Sequence, residues 1–138
     1  MIKEFQGDYR WLSNFAPVDI EYEGVMYHSV EHAYQSAKSP LGQWKEMCRE
    51  IVNPAHVKQA SRKIKIREDW DQVKIAVMRE LLLKKFYQEH FKSLLKETGD
   101  AEIQEGNWWG DKFWGVSLHS GEGENHLGKL IMEIRSQL

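Results

Sequence analysis

Apolar side chains recur through most of this chain at the spacing of amphipathic helices. The first such segment has four apolar residues at i, i+3, i+4 and i+7, which share one helical face: Val30, Ala33, Tyr34 and Ala37. Ser29, just before them, is a typical N-cap residue, and Pro40 disfavours helix in the residue that precedes it. The pattern therefore predicts a short helix that begins after Ser29, ends before Pro40 and buries one stripe.

Two longer segments, 41–52 and 69–86, continue this helical periodicity. A third lies near the C-terminal end, where Asn125 is placed to cap a helix. The residues predicted to face the core in these three helices are Leu41, Trp44, Cys48, Ile51, Val52, Trp70, Val73, Val77, Leu81, Leu82, Leu127, Leu130, Ile131, Ile134 and Leu138. Two shorter helices are marked by their end signals. Pro54 suits the first turn of one, and Gly99 suits the position just after the end of the other.

Strand signals are short and few. Two apolar runs within 18–29 flank Glu23 and Gly24, which predicts a hairpin with a tight turn. The segment 101–105 is a further strand candidate. Helices with a few short strands predict an α+β fold: one mostly helical domain over 1–138 with short antiparallel strands.

Composition narrows the class of protein. The chain has 138 residues, 41% hydrophobic, with a formal net charge of −2. This balance lacks the basic footprint of a protein that binds duplex nucleic acid strongly. No apolar run reaches the roughly 20 residues that span a bilayer. Cys48 is the only cysteine, so an internal disulfide is excluded and a reducing, cytoplasmic setting is expected.

The segment from His28 to His32 matches H-x-x-E-H, a pattern in which two histidines hold zinc and a glutamate activates water. Zinc binding needs both histidines on one helical face. If Ser29 is the N-cap, His28 precedes the helix and points elsewhere. We therefore predict no metal site and no cofactor, and keep a zinc hydrolase as a weaker alternative.

A second face of the same helix carries chemistry. Glu31, Gln35 and Lys38 stand at i, i+4 and i+7, so an acid, an amide and a cation share this face. Glu31 also lies in the first turn, where backbone N–H groups favour a carboxylate. On the pattern alone, a solvated helix face is the simpler interpretation.

The tryptophans are unusually placed. Three of six fall at 108, 109 and 114, in a segment rich in glycine, asparagine and aspartate. A tryptophan in a polar loop is poorly placed to join the hydrophobic core, but a flat ligand can stack on its ring.

Several motifs together give a resemblance that covers nearly the whole chain. Residues 27–38, "YHSVEHAYQSAK", resemble the signature helix of the NADAR superfamily, also called the YbiA-like family. Further similar segments follow the family order: "LSNFAP", "LLLKKFYQ", "LLKETGDAEIQE", "GDKFWG" and "GENHLGKLIMEIR".

The resemblance implies an α+β fold and action on N-glycosidic bonds of ribose. YbiA-like members are N-glycosidases of phosphorylated ribosylamino-pyrimidines, intermediates of riboflavin synthesis. Other members remove ADP-ribose from modified guanine in nucleic acid. The expected ligand is thus a small phosphorylated riboside or an ADP-ribose-type molecule. A binding module for ADP-ribose or a nucleotide, without turnover, is the alternative from a different class.

Cleavage of an N-riboside passes through an oxocarbenium-like sugar that a carboxylate can stabilise. Glu31 is the candidate for this role and for activating water. Asp111 or Glu105 is the candidate to assist the leaving base, which Trp109 or Trp114 would hold by stacking. The remaining candidates are substrate contacts: Asn14, Phe15, Gln35, Lys38 and Asn125. Lys38, or the glycine-rich approach to Asn125, would bind phosphate.

One departure from the family pattern affects specificity. Val116 follows Trp114 and Gly115, where members often carry another residue and then glycine. The lead into this segment, "EGNWWGDKFWG", is also rich in tryptophan. Because this loop is expected to contact the base, the identity of the base is the least transferable property.

Overall fold

The computed structural model describes all residues, 1–138, and its contacts group them into two units. We call residues 14–85 the central unit, and residues 1–13 with 86–138 the terminal unit.

The central unit begins with the predicted hairpin. Strands β2 (Ile20–Tyr22) and β3 (Val25–Tyr27) pair in antiparallel register. Between them Glu23 and Gly24 both have positive φ, at 50° and 83°, which is the backbone of a type I′ turn. The prediction of a tight hairpin turn is therefore confirmed.

Four helices follow in the central unit. They are α1 (Val30–Ser36), α2 (Gly42–Glu50), α3 (Pro54–Ala60) and α4 (Trp70–Phe86), whose last residue belongs to the terminal unit. A 3₁₀ turn covers Ser61–Lys63. Ser29 caps α1 by accepting the N–H of His32, and Asn53 caps α3 by accepting that of Ala55. Both predicted helix starts are confirmed.

Helix α1 is buried on every side. All seven of its residues are buried, including Glu31 at 6% and Gln35 at 2% exposure. The interpretation of its second face as solvated is therefore wrong. Sequence periodicity identifies an apolar stripe, but it cannot show that a polar face is also covered.

Helix α2 follows its predicted stripe only in the middle. Trp44 and Cys48 are buried, whereas Leu41 and Val52 are exposed at 66% and 85%. The prediction that the two outer residues face the core is wrong, because α2 ends at Glu50 and begins only after Leu41.

The terminal unit holds a three-stranded sheet. Its strands are β1 (Ile2–Glu4), β4 (Ile103–Asn107) and β5 (Val116–Ser117), in the order β1-β4-β5. Both pairs are parallel, with Ile2 opposite Ile103 and Gly106 opposite Val116. The expectation of antiparallel strands thus holds for the hairpin and is wrong here. No tight turn joins these strands, so the local sequence does not indicate whether they pair in parallel or antiparallel.

Two helices complete the terminal unit, α5 (Glu89–Glu97) and α6 (His126–Arg135), with a 3₁₀ segment at Gly7–Leu12. Gly99 follows α5 with φ +62°, as predicted for a glycine past a helix end. The core face of α6 is buried at Leu127, Leu130, Ile131 and Ile134. Helices with small sheets confirm the α+β class. None of the helices is long and apolar enough to cross a membrane.

Candidate active site

The central unit holds Glu31 in the first turn of α1, with hydrogen bonds at both its backbone and its side chain. Its N–H donates to the carbonyl of Asn14 at 3.0 Å. Its Oε1 accepts from Gln35 Nε2 at 3.1 Å. A carboxylate removed from water in this way is costly unless such bonds compensate it. Glu31 and Gln35, which share one motif, and Asn14, which belongs to another, are therefore brought together.

Lys38 lies at the other end of this helix, partly buried against aromatic rings. Its Nζ is 5.6 Å from the ring centre of Tyr34 and 6.0 Å from that of Trp70. Burial lowers the pKa of the Lys38 ammonium, and the negative charge of Glu31 acts in the opposite direction. The shared face predicted for Glu31, Gln35 and Lys38 is thus a set of interacting groups. Trp70, predicted as core, is buried and packs on Tyr34.

The two histidines of the H-x-x-E-H pattern do not form a pair of ligands. His32 is buried, with Nδ1 2.6 Å from Ser29 Oγ and Nε2 2.8 Å from the carbonyl of Ile51. Burial lowers the pKa of His32, which suits a neutral ring with one nitrogen donating and one accepting. His28 stands outside α1, and its ring meets that of His32 edge to face at 6.0 Å between centroids.

In the terminal unit, Asn107 organises the acidic candidates. Its side-chain Nδ2 donates to Glu105 Oε2 and to the carbonyl of Asp111, both at 2.9 Å. Its Oδ1 accepts the N–H of Asp111 at 3.0 Å. Asn107 is only 1% exposed, so these bonds form out of water. One amide thereby ties the carboxylate of Glu105 to the loop that carries Asp111.

Asp111 uses one carboxylate oxygen to shape this loop. Its Oδ1 accepts the N–H groups of Phe113 at 3.1 Å and Trp114 at 2.9 Å. Gly115 then passes so close to Glu105 that a Cβ there would collide with its carboxylate and its carbonyl oxygen. The carboxylates of Glu105 and Asp111 and the backbone of Trp114 therefore belong to one hydrogen-bonded structure.

The tryptophans of the loop differ in exposure. Trp114 is half-buried, with its ring edge on to Phe113 at 4.9 Å. Trp108 and Trp109 are exposed at 58% and 60%, and Trp108 meets His119 at 4.8 Å. The prediction that this segment is poor core material fits the last two.

Asn125 has a structural task in the terminal unit. It takes a left-handed conformation at the start of α6, and its side chain makes no cap hydrogen bond. Instead Oδ1 accepts the N–H of Glu105 and Nδ2 donates to the carbonyl of Ile103, each at 3.0 Å. Asn125 thus joins the helix start to β4 at the residue that carries the carboxylate. Phe15, also a candidate, is half-buried beside Asn14 in the central unit.

Two buried polar residues were missed by the sequence analysis. Asn107 stands in the quoted segment "EGNWWGD", yet an asparagine among glycines looks like an ordinary loop residue. Lys85 stands in "LLLKKF" and is fully buried, although lysine is rarely so. Only the fold distinguishes it from Lys84, the half-buried lysine beside it in the sequence.

An α+β chain with a buried glutamate and amide on one helix, and further carboxylates held by an asparagine, has the features of a hydrolase. The chain belongs to the NADAR domain family, whose model matches residues 2–138.

Named relatives and a solved structure agree with this. The chain is 35% identical to N-glycosidase YbiA of Escherichia coli over 95% of its length and 82% of the relative. An NMR structure of that protein matches 99% of this chain and 86% of the relative's chain, with a TM-score of 0.84 and 32% identity.

N-glycosidase Npun_R5314 of Nostoc punctiforme is 33% identical, over 94% of the chain and 86% of the relative. A riboflavin biosynthesis protein of Vibrio vulnificus, VVA0006, is 33% identical over 93% of the chain and 35% of its own length. The family resemblance is confirmed, and the chain is an N-glycosidase, a hydrolase.

Proposed function

We propose that this N-glycosidase hydrolyses phosphorylated ribosylamino-pyrimidines, the riboflavin-pathway intermediates, to ribose 5-phosphate and the free base. The relative named for riboflavin biosynthesis supports the pathway, and the two relatives named N-glycosidase support the bond. The observation that carries the proposal is the buried carboxylate of Glu31, held by Gln35 at 3.1 Å.

The reaction needs little more than this carboxylate and a water. As the bond from ribose C1 to nitrogen breaks, positive charge develops on C1 and the ring oxygen. A buried carboxylate stabilises this charge more strongly than one in water, because the local dielectric is lower. Glu31 then takes a proton from the water that adds to C1, and the leaving nitrogen receives a proton.

Glu105 is the better candidate to assist the leaving base. Asn107 Nδ2 donates to the Oε2 of Glu105 and so fixes the direction of this carboxylate. Asp111, by contrast, uses Oδ1 to accept two backbone N–H groups of its own loop. We therefore assign Glu105 to the base and Asp111 to the shape of the loop, with Trp114 and Trp109 as stacking surfaces.

Glu31→Gln tests the proposal most directly. The amide keeps the shape but can neither accept the proton of water nor balance a positive sugar. We expect turnover to fall by at least about 10²-fold, the lower range for a positioned general base, with ligand affinity little changed. Single-turnover kinetics on a panel of phosphorylated ribosylamino-pyrimidines, with product identified as ribose 5-phosphate, measure this.

The exposed Glu50 on α2 gives the matched control, because Glu50→Gln makes the same change of atoms away from α1. Glu50→Gln should keep full turnover. A fully active Glu31→Gln would remove Glu31 from the mechanism. Absence of turnover on the whole panel by the unmodified protein would contradict the proposed substrate.

A second candidate function has one observation in its favour. Trp108 and Trp109 are exposed and could stack on bases of a substrate larger than one nucleotide. That would suit removal of ADP-ribose from modified guanine in single-stranded nucleic acid. Adding an ADP-ribosylated oligonucleotide to the panel separates the two, since turnover of the oligonucleotide above that of the pyrimidines favours the second.

A further inference from the structure

Two buried oxygen atoms in the central unit accept no hydrogen bond from the protein: Gln35 Oε1 and Asn14 Oδ1. Buried polar atoms are nearly always satisfied, because an unmade hydrogen bond costs free energy of folding. Two such atoms close together in the chain's fold therefore call for an explanation. Both belong to residues that bond to Glu31 through other atoms.

The orientation of the Gln35 amide follows from its neighbour. Its Nε2 lies 3.1 Å from Glu31 Oε1 and donates to it. Turning the amide over would set two oxygens against each other, so the chemistry fixes Oε1 on the other side. The backbone of Gln35 is held as well, because Trp44 Nε1 donates to its carbonyl at 2.7 Å.

Asn14 is fixed in a comparable way. Its carbonyl accepts the N–H of Glu31 at 3.0 Å, which places the residue beside the first turn of α1. Its Nδ2 lies 3.6 Å from Met78 Sδ, a weak acceptor. Oδ1 is the atom left over. The two open acceptors thus flank the residue to which we assign the sugar chemistry.

We propose that Gln35 Oε1 and Asn14 Oδ1 form a ribose subsite and accept hydrogen bonds from the 2′- and 3′-hydroxyls of the substrate. This rests on the proposed function of Glu31. Acceptors require donors, and the phosphate of the substrate offers only oxygens that would repel them. A carboxylate at C1 lies next to the 2′-hydroxyl, the donor on the neighbouring carbon. Hydrogen bonds to this hydroxyl strengthen in glycosidase transition states.

The subsite makes the enzyme selective for ribose over 2′-deoxyribose. A deoxy sugar leaves a buried acceptor unpaired, and sites built to bond a substrate hydroxyl reject analogues that lack it strongly. We expect kcat/KM to fall by at least about 10²-fold when the 2′-hydroxyl is removed, where the most selective sites of this kind reach roughly 10⁴–10⁵-fold. Each rate is divided by the uncatalysed rate, because deoxyribosides hydrolyse faster in water.

Two variants locate the effect. Gln35→Met keeps the length of the side chain and removes the amide, and Asn14→Ala removes the other acceptor. Each should lower kcat/KM for the ribose substrate at least about tenfold more than for the 2′-deoxy or 3′-deoxy analogue, so that selectivity collapses. Gln35→Met also removes the bond to Glu31, so it should lower kcat/KM for both sugars. The exposed Gln72 on α4 gives the control, since Gln72→Leu should leave selectivity intact.

Thermal melts distinguish this role from a structural one. An unsatisfied buried acceptor destabilises the ligand-free protein, and Asn14→Ala removes one while keeping the Glu31–Gln35 bond, so this variant should melt at the same or a higher temperature while its ribose selectivity is lost. Equal losses on the ribose and deoxyribose substrates in both variants would overturn the subsite. So would equal turnover of both sugars by the unmodified protein.

Binding of the sugar phosphates separates this inference from the proposed function. Titration with ribose 5-phosphate and 2-deoxyribose 5-phosphate, followed by calorimetry, needs no turnover. If no pyrimidine riboside is hydrolysed but ribose 5-phosphate binds at least about tenfold more tightly, the proposed function fails and the subsite stands. Equal binding, or binding of neither sugar phosphate, overturns the subsite.

Discussion

At the scale of single residues, two variants of Asp111 distinguish a structural role in its loop from a role in proton transfer. Asp111→Asn keeps the Oδ1 atom that accepts the N–H groups of Phe113 and Trp114, whereas Asp111→Ala removes it. We expect Asp111→Asn to keep activity within about tenfold, and Asp111→Ala to lose about 1 kcal/mol of stability with a larger loss of activity. Steady-state kinetics and denaturant unfolding on both variants measure this.

The outcome against this assignment is specific. If Asp111→Asn is as inactive as Asp111→Ala and unfolds at the normal denaturant concentration, Asp111 transfers a proton and Glu105 does not. Glu105→Gln in the same experiment should then be nearly harmless.

His32 gives the protein a pH-dependent stability. Burial lowers its pKa below the ordinary value of about 6.5 that the unfolded chain retains. Between the two pKa values the unfolded state binds more protons, so stability rises with pH there. The free energy of unfolding should therefore fall as pH drops below about 6.5, and the loss is complete below the folded pKa.

The variant His32→Gln removes this titration. Denaturant unfolding at pH 5 and pH 7 should show a smaller difference in His32→Gln than in the unmodified protein. The exposed His56 on α3 supplies the control variant, His56→Gln, which should keep the full difference. An unchanged difference in His32→Gln would assign the pH dependence to other groups.

At the scale of elements, the loop between β4 and β5 depends on Gly115. A Cβ there would strike the carboxylate and carbonyl of Glu105 and lie 2.7 Å from Asn107 Nδ2. Backbone atoms cannot move aside cheaply, so Gly115→Ala should cost about 1–3 kcal/mol and displace Glu105. Urea unfolding and turnover, measured on the same preparation, check both effects.

Gly42 is the matched control for this change. It is the first residue of α2, its φ is ordinary, and a Cβ there meets nothing within 4 Å. Gly42→Ala should therefore be neutral or raise stability by up to about 1 kcal/mol. A Gly115→Ala protein with normal stability and activity would show that the loop between β4 and β5 can shift to accommodate the added Cβ.

The same elements show how far sequence patterns reach. Helical spacing with cap residues placed α1, α3 and the end of α5, because these signals act within a few residues. The burial of Glu31 and Gln35 depends on which residues pack over α1, and the spacing of apolar residues within α1 does not indicate this. The direction of β1 and β4 likewise depends on a pairing between residues about a hundred positions apart.

The candidate site was likewise predictable from the sequence only in part. Motif resemblance singled out Glu31, Gln35 and Asn14, but only the fold shows that they bond to one another. Asn107 could not be singled out because its role depends on hydrogen bonds to two other residues, Glu105 and Asp111, and its own sequence context is that of a loop.

At the scale of the whole molecule, acidic and basic side chains are nearly balanced in number. The formal net charge is −2, and the salt bridges lie mostly at exposed positions, where each contributes little. Trp108 and Trp109 are exposed, and we expect any substrate larger than one nucleotide to contact them.

The whole protein as purified should contain no stoichiometric zinc, and EDTA should leave its turnover and Tm unchanged. His28 and His32 have the spacing of zinc ligands, but both ring nitrogens of His32 are already engaged by Ser29 and Ile51. Zinc would have to displace one of these bonds inside a buried region, and a ligand set of one histidine and a glutamate is too small. Elemental analysis and activity before and after chelation measure this. Tight zinc that disappears in His28→Ala and His32→Ala, together with activity restored by zinc after EDTA, would instead make the enzyme a metal-dependent hydrolase.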